Sequence, residues 1–97
     1  MANIDFSRVV TTEDKAVLQQ QILLQDRKAE CRMRIFAVCD EIAQINLAAA
    51  ASAGLLDAAQ MQTYRAGLTW IQAMRAACAD GNWPDTPPDV RELAALF

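Results

Sequence analysis

Histidine is missing from all 97 residues. Its absence removes the side chain that most often serves as a general base near neutral pH and most often ligates a metal. Three cysteines do not make up the loss. Cys31, Cys39 and Cys78 all fall within helical patterns and form an odd set, suited to apolar filling in a reducing compartment rather than to a disulfide framework or a four-ligand zinc site. There is no glycine-rich phosphate loop and no serine in a nucleophile elbow. Asp40 and Glu41 are neighbours on a helix, so they point in different directions and do not converge as a catalytic pair. The sequence predicts neither an enzyme nor a bound metal or other cofactor.

Glycine and proline are equally sparse, with three of each and none between Thr12 and Ala53. The chain therefore has few places to turn, and an all-α fold of one domain follows. The net charge is −3, which gives no general attraction to phosphate, so nucleic acid is not an expected partner. The longest apolar run, Ile45 to Leu56, is mostly alanine and falls well short of the roughly twenty residues that cross a bilayer. The opening Met1 to Phe6 lacks a basic start followed by an apolar block, so no secretory signal is read there and a cytoplasmic location is expected.

What is present is helix, with clear punctuation. Thr11 or Thr12 caps a first helix whose opening turn carries Glu13 and Asp14, carboxylates placed at the positive end of the macrodipole. That helix is predicted to run unbroken to Ala53, where Gly54 supplies a left-handed stop. Asp57-Ala58-Ala59-Gln60 has the form of a capping box, with Leu55 and Leu56 placed to staple the corner. A second helix runs from about Ala58 to Ala79 and ends at Asp80-Gly81-Asn82. The short connection makes an antiparallel hairpin over residues 12–79, with an arm at 1–11 and a tail at 80–97. Thr86, Pro87 and Pro88 are expected to cap a last turn or two in that tail.

Val17, Leu24, Cys31, Val38 and Ile45 recur every seven residues, the period of a coiled-coil seam. The companion row is polar early, with Gln21 and Lys28, and apolar later, with Ile35, Ile42 and Ala49. The second half of the helix is therefore predicted as the core half. It should meet Met61, Tyr64, Leu68, Ile71 and Cys78 of helix two, flanked by Trp70 and Met74, with Phe36 adding bulk and Ala48 to Ala51 permitting close approach. A first helix of that length outruns the second by about five turns. The overhang carries Val17, Leu18, Ile22, Leu23 and Leu24 without an intrachain mate. Either the tail folds back over it, or it packs on another protein or a second copy of the chain, giving a homo-oligomer, with Val17, Leu18, Ile22, Leu24 and Cys31 as anchors.

Two further features have paired readings. Arg27, Lys28, Arg32 and Arg34 form the one basic cluster, interrupted by Glu30. It reads as a solvated helix face or as a patch for an acidic partner, the tail's own Asp80, Asp85, Asp89 and Glu92 included. Trp83, beside Pro84, reads as a lid folded on the hairpin or as an exposed anchor for another protein.

A resemblance enters at the two ends. Asn3-Ile4-Asp5-Phe6-Ser7, leading through Arg8 to Ala16 into the first helix, resembles a segment of small tail proteins of tailed bacteriophages and prophages. Tyr64-Arg65-Ala66-Gly67-Leu68, followed by Asn82-Trp83-Pro84 and Pro87-Pro88, is similar to the pattern closing phage tail assembly chaperones and tail-fibre assembly proteins. The resemblance covers about a third of the chain. The acidic tryptophan segment that usually precedes the Tyr-Arg pair in those families is missing. What it implies is a non-enzymatic chaperone that escorts a tail or tail-fibre component in the cytoplasm of a bacterial host. A minor structural subunit of the tail and a small helical inhibitor are the alternatives.

Overall fold

A computed structural model describes residues 12–97, so the predicted arm at 1–11 lies outside the described residues. The fold is all-α: α1 at Thr12–Val38, α2 at Glu41–Ser52, α3 at Ala58–Ala76 continued by a 3₁₀ turn at Ala77–Ala79, and α4 at Val90–Ala95. The described residues extend 71 × 24 × 17 Å with a radius of gyration of 20.2 Å. A compact chain of this length has about 12–13 Å, so the molecule is a rod with a knot of packing at one end.

The predicted first helix is in fact two, inclined to each other by 62°. No glycine or proline makes the break. Asp40 adopts an extended conformation (φ −68°, ψ 173°), and its Oδ1 accepts from the Ala43 amide at 2.8 Å, capping α2. The Gln44 side chain donates back to the Cys39 carbonyl at 2.9 Å, so the last carbonyl before the break is also satisfied. The elbow thus loses little hydrogen bonding, and Asp40 followed by Glu41 is an N-terminal signature inside what reads as one helix. Replacing Asp40 with alanine is expected to lower stability by about 1 kcal/mol, seen as an earlier denaturant midpoint with an unchanged slope.

Restarting the helix resets its phase. The buried row runs Cys31, Ile35, Cys39, Ala43, Leu47 and Ala50, stepping by three or four residues, and the seven-residue seam fails beyond Val38. Ile42 and Ile45, predicted to be core, are 69% and 61% exposed. Ala48 and Ala49 are exposed as well, leaving Ala50 as the buried member of the alanine run.

The corner forms as predicted. Gly54 has φ 72°, and the amides of Leu55 and Gly54 donate to the carbonyls of Ala50 and Ala51, a Schellman closure. Asp57 and Gln60 complete a reciprocal capping box at 2.8 and 3.0 Å. Leu56, not Leu55, is the staple, packing in the same cluster as Met61 four residues into α3.

α1 and α3 form the antiparallel hairpin, whereas α2 splays from α3 and α4 fills the wedge between them. Leu93 and Ala94 of α4 pack on Cys39, Ala43 and Leu47, closing one apolar cluster. A second cluster joins Cys31 and Ile35 of α1 to Trp70, Met74 and Cys78. The wedge turns the core face of α3 toward Gly67, Trp70 and Met74, so Leu68, predicted to be core, is exposed. α4 begins at Asp89 in a left-handed conformation (φ 68°) without a side-chain cap, rather than from Thr86 as expected. At Gly67 a Cβ would meet the Val90 methyls at 3.6 and 3.7 Å, ordinary contact. Gly67→Ala is therefore expected to stabilise the fold by about 0.5–1 kcal/mol, read as a raised melting temperature.

Candidate functional site

Residues 12–26 of α1 are exposed throughout, about four turns of helix that contribute no residue to either apolar cluster. The tail does not fold back over them; it packs at the opposite end of α1 and on α3. Val17, Leu18, Ile22, Leu23 and Leu24 lie between 42% and 55% exposed. These five side chains are interleaved with Gln19, Gln20, Gln21 and Gln25, so the stretch presents large apolar groups to water beside polar ones.

At 100° per residue the exposed side chains sort into two stripes. Glu13, Val17, Gln21, Leu24 and Lys28 fall within an arc of about 80°, and that line continues into the buried Cys31 and Ile35. Leu18, Ile22, Ala29, Met33 and Phe36 fall within about 60° of arc on a different side. Met33 is 69% exposed and Phe36 is exposed too. Phe36, expected to add bulk to the core, is therefore on the outer stripe with Met33. The signal was present, since 18, 22, 29, 33 and 36 keep helical spacing, but the seven-residue row masked it.

The other predicted anchors are spent within the chain. Cys31 is 3% exposed and belongs to the core, because the 3₁₀ turn carries α3 far enough to place Cys78 on it; it offers no surface to a partner. Arg27 donates through Nη1 to the Ala79 carbonyl at 2.6 Å, closing the end of α3, and its guanidinium lies beside Gly81. Trp83 is half-buried against Trp70 and Met74, with the Arg34 guanidinium 5.4 Å from its ring centroid. Pro84 accepts from the Trp70 indole nitrogen at 3.2 Å, so the tail is pinned by aromatic contacts. The tail carboxylates form no ion pair with the basic cluster among the described residues; Arg34 pairs instead with Glu30 at 2.7 Å. That hydrogen bond holds the Glu30 carboxyl below its ordinary value.

Lys28 remains exposed. With Arg32 and Arg75 it rims a shallow groove of about 760 Å³ floored by Ile35, Phe36 and Ile71. Arg75 extends the basic cluster onto α3, which sequence spacing alone does not reveal. A narrower apolar cleft of about 200 Å³ lies between α2, α3 and α4, lined by Leu47, Tyr64, Leu68 and Leu93.

All three thiols are free and buried. Burial pushes Cys31 above its ordinary 9.0, with the neighbouring Cys78 adding, and pushes Cys39 up likewise, with Asp40 adding. A raised folded value favours the neutral thiol in the native state. The stability it contributes is fully present below about 9.0 and is lost as pH rises through the folded values. Iodoacetamide is therefore expected to leave the native thiols almost unmodified at neutral pH and to label all three once the chain is unfolded.

No family model, curated protein or solved structure matches the chain. No single described helix is long and apolar enough to cross a membrane.

Proposed function

We propose that this chain is a non-enzymatic docking protein of chaperone type that holds a tail or tail-fibre component of a tailed bacteriophage or prophage through the free half of α1. The observation that carries the docking role is the apolar overhang at residues 12–26. Among the described residues, these five large side chains stand in water and belong to neither apolar cluster. The stripe of Leu18, Ile22, Met33 and Phe36 is the surface assigned to the partner, and it follows helix-in-groove spacing. Lys28, Arg32 and Arg75 beside Phe36 suit a partner helix with acidic residues at one edge. The assignment to phage tail assembly rests on the resemblance of the two ends of the sequence.

Co-expression with the tail and tail-fibre proteins of the same genome tests this reading. A complex with one of them that is absent from finished particles is expected. Retention in purified virions, detected by mass spectrometry, would make the chain a structural subunit instead. No complex with any tail component would remove the phage assignment.

A further inference from the structure

Two of the three buried thiols lie side by side. The 3₁₀ turn at Ala77–Ala79 brings its backbone within 8 Å of α1, Cα to Cα, and sets Cys78 over the turn of helix that ends at Cys31. There Cys78 Sγ stands 3.9 Å from the Arg27 carbonyl, the oxygen that accepts the Cys31 amide in the ladder of α1. Both side chains belong to the Trp70 cluster, and the nearness of Cys78 is one of the causes that raise the Cys31 thiol. Cys39 is apart from them, packed in the other cluster with Leu47, Leu56 and Leu93. The pair can also be approached from one side. Cys31 and Cys78 both line the groove at whose edges stand Lys28, Arg32 and Arg75, three cations against the single carboxylate of Glu41.

We propose that Cys31 and Cys78 form a reversible intrachain disulfide by exchange with a small anionic disulfide of the glutathione type, while Cys39 stays a thiol. The excess of positive charge at the groove favours an anionic reagent there. Cys78 is the less buried of the two, 8% exposed against 3%, and its thiolate attacks one sulfur of glutathione disulfide. The S–S bond of the reagent breaks and one glutathione leaves as the thiolate. Cys31, whose thiolate the charges of Arg75 and Arg32 favour, then attacks the Cys78 sulfur of the mixed disulfide and expels the second glutathione. The two protein thiols lose two electrons, the reagent gains them, and both protons end on the two glutathione thiols. Burial makes the first step slow, on the order of hours, so a brief alkylation misses thiols that a long exchange reaches. The product ties α1 to the end of α3 and encloses α2 and the corner in one covalent ring, which removes entropy from the unfolded chain. Nothing in this chemistry requires a tail component.

The test leaves the reduced chain overnight with glutathione disulfide, alkylates it in denaturant and maps the digest by mass spectrometry. A peptide pair linked through Cys31 and Cys78, with Cys39 alone alkylated, is the expected result. The melting temperature of the oxidised chain should rise on the order of 10 °C and fall back with dithiothreitol. Cys39→Ala is expected to keep the linkage and the rise, and Cys78→Ala to abolish both. Linkage through Cys39, three alkylated thiols after the exchange, a lasting glutathione adduct on Cys78, or a chain-to-chain disulfide as the main product would each overturn the proposal. The mapping of the unsubstituted chain decides even where Cys78→Ala folds poorly.

Discussion

Replacing Trp70 with alanine is expected to cost about 3–5 kcal/mol of unfolding free energy, the largest single effect in the molecule. The indole is 5% exposed at the centre of the cluster formed by Cys31, Ile35, Met74 and Cys78, and Val38, Ile71 and Trp83 pack around it. Its loss opens a cavity where α1, α3 and the tail all meet, and it leaves the Pro84 carbonyl without its donor. A domain of this length has on the order of 5–15 kcal/mol in total, so the variant should be near its unfolding threshold at body temperature. Trp83 survives the substitution and remains a fluorescent reporter of the tail. Its emission should shift to longer wavelength in the variant, while Met74→Leu, which nearly conserves volume, should cost under about 1.5 kcal/mol and leave Trp83 in place. An unchanged denaturant midpoint for Trp70→Ala would mean that the hairpin is not held together by this cluster.

The opposite result is expected at the free end. Leu18→Gln with Ile22→Gln keeps two good helix formers among Gln19, Gln20 and Gln21 and removes two anchors from the partner stripe. Each side chain contributes about 1.5 kcal/mol or more when buried in an interface, so affinity for the proposed tail component should fall by about a hundredfold. The melting temperature should barely move, since neither side chain touches the core. Calorimetric titration of wild type and variant against the same component reads the first quantity, and thermal denaturation reads the second. Equal affinities would show that the partner holds some other surface.

Local signals were the most legible part of this sequence. The capping box at Asp57 and Gln60, the left-handed stop at Gly54 and the end near Asp80 and Gly81 are each set by a few adjacent residues, and each is where the sequence places it. The exposed apolar stretch was legible too, because the tail is too short to cover it. The elbow was a conflict between two local signals. The seven-residue row argued for continuity through Val38 and Ile45, Asp40 with Glu41 argued for a new start, and the cap won because Gln44 also satisfies the Cys39 carbonyl. What sequence could not supply was the wedge. α4 is only six residues long, and its place between α2 and α3 depends on Val90 meeting Gly67 and Leu93 meeting Leu47 across long separations. That wedge turned Leu68 outward. The reach of the turn after α3 likewise converted Cys31 from a predicted anchor into core.

Because α1 is unbroken from Thr12 to Val38, its free end and its seat belong to one lever. Thr12 stands about 35 Å from Ile35 along the axis, so a tilt of about 10° where Ile35 rests on Trp70 sweeps the tip through roughly 6 Å. Small repacking beneath the tryptophan therefore steers the tip, and a load applied there is borne by the core rather than by a hinge.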